Sequence, residues 1–132
     1  MATAATGGKS DATMEGQQLL AVHEQQLDGG LLLIDVRGEV DLYSVEQLRA
    51  VLEEAEDAGH RHIVVDLSAV NTIDSTGLAA LVGAHRRLLR REGEMIVVIS
   101  SARVWSKFSM TGLDNVFPVA TSREEALSRV HC

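Results

Sequence analysis

Asp74, Ser75, Thr76 and Gly77 stand where a polar stretch that follows an apolar run, Ile63 to Leu67, gives way to the helical pattern beginning at Leu78. Loops that leave the C-terminal ends of strands are where open α/β sheets place their sites. A hydroxyl here is exposed and structurally defined, so it could react or be modified. As a nucleophile Ser75 would need a positioned base, and it lacks the G-x-S-x-G elbow. His85 reads better as a residue on or near an apolar helix face. His60 and His62 are two apart at a strand start without obvious further ligands, so no metal site is expected. Neither G-x-G-x-x-G nor G-x-x-x-x-G-K-S/T is present to cradle phosphates, and no cofactor is expected.

Asp66 ends a buried-strand pattern, as the acceptor of a response-regulator receiver does. A receiver also needs a pair of carboxylates after its first buried strand to hold Mg²⁺. That pair is missing, so Asp66 is expected to accept hydrogen bonds within its loop. These exclusions leave a chain that is not an enzyme and whose chemistry belongs to a partner.

The elements that must position this loop follow from periodicity. Leu19 and Ala21 open a first strand, Asp28-Gly29-Gly30 is a turn, and Leu31 to Val36 completes a hairpin. Ser44 with Gln47 spells a capping box for a first helix, whose inward residues are Val45, Leu48, Val51, Leu52 and Ala55 and whose stop is Gly59. Ile63 to Leu67 is a strand covered on both faces, and Ser68 to Asp74 is the loop leaving it. Asp74 or Ser75 caps a second helix, with Leu78, Leu81, Val82, Leu88 and Leu89 at helical spacing and Gly93 as its end.

Met95 to Ile99 repeats the buried-strand pattern. Ser101 to Met110 is a shorter helix with Val104 and Phe108 inward and Gly112 as its stop. Val116 to Val119 is a last strand. Thr121 and Ser122, each three residues before a glutamate, start a terminal helix with Leu127 and Val130 inward. The expected fold class is therefore α/β, a mixed sheet with an N-terminal hairpin and about four helices packed against it.

With 132 residues the chain fits one domain. Residues 1 to 16 are rich in Ala, Thr, Gly and Ser without an apolar period, so they are expected to be a disordered tail before a domain spanning residues 17–132. Aromatics are 3% of the chain and its formal charge is -7, which disfavours direct nucleic-acid binding. The cluster Arg86, Arg87, Arg90 and Arg91 is expected on the wet side of the second helix, complementing its dipole. One cysteine, Cys132, excludes an internal disulfide and suits a reducing cytoplasm. No run approaches the roughly 20 apolar residues of a membrane span, so no membrane contact is expected.

Four segments, in register from about Leu19 to Val130, resemble the STAS domain family, and within it the anti-sigma factor antagonists. Gly38-Glu39-Val40-Asp41 is similar to the family's GE-hydrophobic-D turn, and Ile63-Val64-Val65-Asp66-Leu67-Ser68 to its central strand. Ile73-Asp74-Ser75-Thr76-Gly77-Leu78 matches its phosphorylation motif, and Met110-Thr111-Gly112-Leu113 matches its M-S/T-G-L turn. One departure is Lys107, where an apolar residue usually precedes the Phe108 equivalent. Trp105 falls where the family often has a polar residue and is expected to be buried, since isolated exposed tryptophans are uncommon.

The resemblance implies that Ser75 is a phosphoacceptor, the first hydroxyl after the aspartate. It implies that Asp41, Asp74, Ser75, Thr76 and Gly77 form the partner-binding surface. Asp41 has an equal claim to an Asx turn leading into the first helix. The implied partners are an anti-sigma factor with serine kinase activity, which the unphosphorylated chain sequesters, and a serine phosphatase that resets the switch. The competing expectation is a STAS interaction module in a signalling scaffold or transporter complex, in which Ser75 is not switched.

Overall fold

The computed structural model describes residues 20–130. The expected tail over residues 1–16, the first residue of the expected hairpin and Cys132 lie outside the described residues. In chain order the elements are β1 (Ala21–Gln26), β2 (Leu31–Val40), α1 (Val45–Asp57), β3 (His62–Ile73), α2 (Ser75–Arg90), β4 (Glu94–Val98), α3 (Ala102–Thr111), β5 (Val119–Ala120) and α4 (Arg123–Arg129). The strands make one sheet in the order β1-β2-β3-β4-β5. β1 runs antiparallel to β2, and every later pair is parallel. The α/β class and mixed sheet expected from the alternation of patterns are therefore present.

Sequential parallel strands joined by right-handed crossovers carry their helices on one face. One core accordingly joins Leu48 and Leu52 of α1, Leu81 and Leu88 of α2, and Val104 and Phe108 of α3 to Leu32, Ile34, Ile63, Val65, Met95 and Val97 of the sheet. The alternate strand residues Leu31, Leu33, Val64, Ile96 and Val98 form a smaller core on the opposite face, where Ala126 of α4 covers them. Two-sided burial explains why β2, β3 and β4 read as continuous apolar runs.

β3 is longer than its apolar run. Ser68 to Ile73 was expected as loop, but it continues the strand to Ile73 and pairs with Arg37–Val40 of β2. Val70 and Ile73 point into the core while Ser68, Ala69 and Asn71 face solvent, so this half of the strand is covered on one side only. The pairing slips between Asp35 and Arg37 and again between Gly38 and Glu39. At the first slip the Ser68 amide donates to Asp66 Oδ1 at 2.9 Å. β4 accompanies β3 only to Asp66, so the far half of β3 projects beyond β4, paired with β2 alone, and carries the start of α2 with it.

Several local expectations change. Ser44 and Gln47 form no capping box: Ser44 donates to the Glu39 carbonyl at 2.7 Å, and Gln47 Nε2 donates to the Leu20 carbonyl at 3.0 Å. α2 ends through Glu92, which takes a left-handed φ of 62°, and not through Gly93. Gly93 is needed because a Cβ there would collide with the Arg61 carbonyl. β5 is Val119–Ala120 and not Val116–Val119, since Pro118 has no amide to donate and Val116 closes the turn Leu113–Asn115. In α4 the inward residue is Ala126, whereas Leu127 is exposed.

Of the four arginines at the end of α2, Arg86, Arg87, Arg90 and the C-cap Arg91, not all are given over to solvent. Arg87 Nε and Nη2 grip Glu56 Oε1 and Oε2 of α1 at 2.6 and 3.0 Å, and Arg91 donates to the Glu56 carbonyl at 2.9 Å. Glu56 is only 5% exposed, so this fork neutralises a buried carboxylate and clamps α1 to α2.

Candidate functional site

The segment from Val40 to Ser44 and the segment from Ile73 to Leu78 leave adjacent strands at the same end of the sheet. Val40 pairs with Ile73, and the Asp74 amide donates to the Val40 carbonyl at 3.0 Å. The segment that begins at Asp41 therefore leaves the sheet next to the one that carries Asp74, Ser75 and Thr76.

Asp74 is the N-cap of α2. Its backbone is extended (φ -102°, ψ -173°) and its Oδ1 accepts from the Thr76 amide at 3.0 Å and the Gly77 amide at 3.2 Å. The same oxygen accepts from the Thr76 hydroxyl at 2.5 Å. Partial desolvation raises the Asp74 pKa, but the Thr76 hydroxyl and the amides of Gly77, Thr76 and Leu42 outweigh it, leaving the carboxyl below its ordinary value. It is therefore a carboxylate at neutral pH.

The two neighbouring hydroxyls differ in consequence. Thr76 is half-buried and its hydroxyl is committed to Asp74. Ser75 is exposed at the first position of the helix, and no hydrogen bond among the described residues engages its hydroxyl. Gly77 sits behind this surface. A Cβ there would lie 2.5 Å from Val40 Cγ1 and 2.8 Å from Ile73 Cγ1, so the glycine lets α2 start hard against the two strand ends.

Asp41 makes the Asx turn: its Oδ1 accepts from the amides of Tyr43 and Ser44, both at 3.0 Å, and its own amide donates to Ser44 Oγ at 3.1 Å. The turn lifts Leu42 and Tyr43 into solvent, 64% and 91% exposed. Neither residue was picked out from the sequence, although a leucine and a tyrosine inside a polar turn, outside any apolar period, are a usable signal. On its other side Ser75 opens onto a shallow groove of about 440 Å³, lined by Leu78, Ala79 and Val82 of α2 and by Thr111 and Leu113. The Met110-Thr111-Gly112-Leu113 turn thus borders the same site, held by Gly112 at a left-handed φ of 77°.

Other candidate residues lie elsewhere. His85 is buried, its Nε2–H donating to the Val116 carbonyl at 3.2 Å and its ring 4.9 Å from that of Phe117, and burial pushes its pKa down. Asp66 is on the α4 face. Its Oδ2 accepts from Arg123 Nε at 2.5 Å, while Arg123 Nη2 and Arg37 Nε reach Asp35 at 3.3 and 2.9 Å. Burial raises the Asp66 pKa, but bonds from Ser68 and Arg123 carry it below the usual value, so this carboxylate is consumed in tying α4 to the sheet. Among the described residues no group of three or more His, Cys, Asp or Glu side chains is placed to hold a metal. Nor is any helix among them long and apolar enough to cross a membrane.

Trp105 is not buried. Ser101 caps α3 and sets its phase so that Val104 and Phe108, four residues apart, face the core, which turns Trp105 outward at 42% exposure beside Ile99, Val119 and Thr121.

The chain belongs to the STAS domain family, whose model matches residues 23–126. It is 35% identical over 91 residues to the anti-sigma-B factor antagonist of Staphylococcus aureus, covering 69% of this chain and 84% of that protein. A crystal structure of an anti-sigma factor antagonist from Mycobacterium paratuberculosis superposes with a TM-score of 0.79 at 27% identity, covering 84% of this chain and 93% of that one. SpoIIAA, also an anti-sigma factor antagonist, is 28% identical in both its unphosphorylated form and its phosphorylated Bacillus form, with TM-scores of 0.71 and 0.66. Those structures cover 83% and 84% of this chain and 95% and 100% of theirs. These relatives are regulatory proteins and not enzymes.

Proposed function

We propose that this chain is an anti-sigma factor antagonist, set by phosphorylation of Ser75. In its unmodified form the surface around Asp41, Asp74, Ser75 and Thr76 docks onto an anti-sigma factor that is also an ATP-dependent serine kinase, and docking frees the sigma factor. The kinase then transfers phosphate to Ser75. A serine phosphatase resets it.

The observation that carries this reading is the division of labour between the two hydroxyls. Asp74 holds Thr76 inward and leaves Ser75 outward, exposed and unbonded among the described residues. A phosphate on Ser75 would add roughly -1.5 to -2 charge beside two carboxylates, Asp41 and Asp74, in the middle of the contact surface. Repulsion and desolvation then expel the product. Inside the domain the same phosphate is tolerated by the positive end of the α2 dipole, the Thr76 and Gly77 amides being already taken by Asp74. The switch therefore needs no refolding. Similarity to SpoIIAA, whose unphosphorylated and phosphorylated forms have both been solved, supports the same role here.

The test is incubation with the cognate kinase and Mg-ATP followed by peptide mass spectrometry. One phosphate is expected, on Ser75 and not on Thr76. Ser75→Ala should bind the kinase at least as tightly as wild type, and Ser75→Asp more weakly than either. An aspartate variant that binds as tightly as wild type, with no phosphate on Ser75 in cells, would replace the switch by a non-switching STAS module.

A further inference from the structure

The turn that precedes α1 displays apolar surface that the fold does not use. Tyr43 is 91% exposed and Leu42 64% exposed, while the backbone beneath them is hydrogen-bonded to the Asp41 side chain. Asp41 Oδ1 accepts from the Tyr43 and Ser44 amides, and Ser44 Oγ donates to the Glu39 carbonyl. A pinned backbone has little further entropy to lose on binding, tyrosine has only two side-chain torsions to fix, and it is among the residues enriched at interface hot spots. The turn is continuous with Ser75 through the Val40–Ile73 strand pair.

The charge at its tip is mainly negative. Glu39, Asp41 and Asp74 flank it and no lysine or arginine occurs from Gly38 through Gln47, whereas Glu46 is paired with Arg49 at 4.0 Å and Arg86 lines the groove beyond Ser75. A second copy of this chain would meet the tip with the same negative charge. Building on the switch proposed for Ser75, we propose that Tyr43, with Leu42 beside it, is the anchor by which the kinase partner holds this domain. It inserts into an apolar pocket rimmed by lysine or arginine. Ser75 decides whether the complex persists, and Tyr43 supplies the grip that makes it form.

The experiment titrates full-length variants against the purified anti-sigma kinase loaded with a non-hydrolysable ATP analogue, and separately measures Ser75 phosphorylation with Mg-ATP. Tyr43→Ala should weaken binding about 30-fold, the loss expected for truncating a hot-spot aromatic. Its KM for phosphorylation should rise with kcat unchanged. Tyr43→Phe keeps the ring and should stay within about threefold of wild type. Because the side chain is almost wholly solvent-exposed, both variants should melt with the wild type, which separates lost grip from lost fold. If Tyr43→Ala binds like wild type while Ser75→Asp does not bind, the anchor is wrong and the Ser75 switch stands. If wild type takes no phosphate from the kinase, the switch fails and the anchor with it. Concentration-dependent dimerisation lost in Tyr43→Ala, with kinase binding intact, would assign the tip to a second copy and overturn the proposal.

Discussion

The two ends of α2 use polar side chains in opposite ways. At the N-terminus, Asp74 satisfies the amides of Thr76 and Gly77 and the Thr76 hydroxyl with one oxygen, which leaves Ser75 free to face solvent. At the C-terminus, Arg87 and Arg91 reach back to Glu56 and are consumed in holding α1. The same helix therefore has a structural end and an available end. A reactive group can be offered without cost to the fold only where a neighbour has already met the local hydrogen-bonding demand. Substitutions at the structural end should cost stability and leave the switch intact, whereas substitution of Ser75 itself at the available end should do the reverse.

The largest effect on stability is expected from Arg87→Ala. It removes both bonds to Glu56 and leaves a carboxylate that is 5% exposed without its fork. Hydrogen bonds to charged groups contribute about 1.5–3 kcal/mol, and the loss here should fall in that range because the partly exposed site admits some water. Denaturant unfolding would measure it, with m unchanged and the midpoint lowered. Ser75 phosphorylation below the melting temperature should be unaffected. A kinase defect without a stability change would break the contrast between the two ends.

Gly77→Ala should show an intermediate effect on both properties. The new methyl would lie 2.5 and 2.8 Å from side-chain carbons of Val40 and Ile73, so either those side chains move or α2 lifts from the strand ends. Overpacking of this kind costs about 1–3 kcal/mol, partly offset by the roughly 1 kcal/mol that alanine gains over glycine inside a helix. Because Ser75 rides on the same turn, phosphorylation should slow even where the domain is fully folded. Equilibrium unfolding together with initial rates on the kinase would test this, and a variant with wild-type rates would show that the helix start need not be seated closely.

The contrast also explains which features were legible in the sequence. The helix start at Asp74-Ser75-Thr76-Gly77 is local, carried by four consecutive residues, and the alternation of buried strands with amphipathic helices is periodic. Both can be recognised without knowing what lies across the fold. The extension of β3 through Ser68–Ile73 depends on pairing with Arg37–Val40, and its polar Ser68, Asn71 and Thr72 hide a strand of which only one side is covered. The Glu56–Arg87 fork joins residues 31 apart, and the Asp66–Arg123 pair residues 57 apart. No local pattern announces either, so the arginines of α2 read as a solvated face and Asp66 as a loop acceptor. Trp105 was misplaced because its size outweighed the phase that Ser101 imposes on α3.

The smallest stability effect, and the sharpest test of the available end, is Ser75→Ala beside Asp74→Ala. The capping oxygen belongs to Asp74, so its removal should cost about 0.5–2 kcal/mol and release the Thr76 hydroxyl that it holds. Ser75 occupies the first helical position, where its side chain meets no demand of the backbone, so Ser75→Ala should change stability by no more than about 0.5 kcal/mol. The cap also carries a pH signature. The Asp74 pKa is lower in the folded chain than the ordinary aspartate value of about 3.8, so its stabilisation is complete above that value and is lost as the pH falls through the lower folded value. Asp74→Ala should flatten this acid limb of the stability curve and Ser75→Ala should leave it unchanged. The release of Thr76 has a further consequence for the kinase: in Asp74→Ala two exposed hydroxyls compete, and phosphate should appear on Thr76 as well as Ser75. If Ser75→Ala is instead the more destabilising of the two, the serine is part of the cap, and its exposure is not what sets it apart from Thr76.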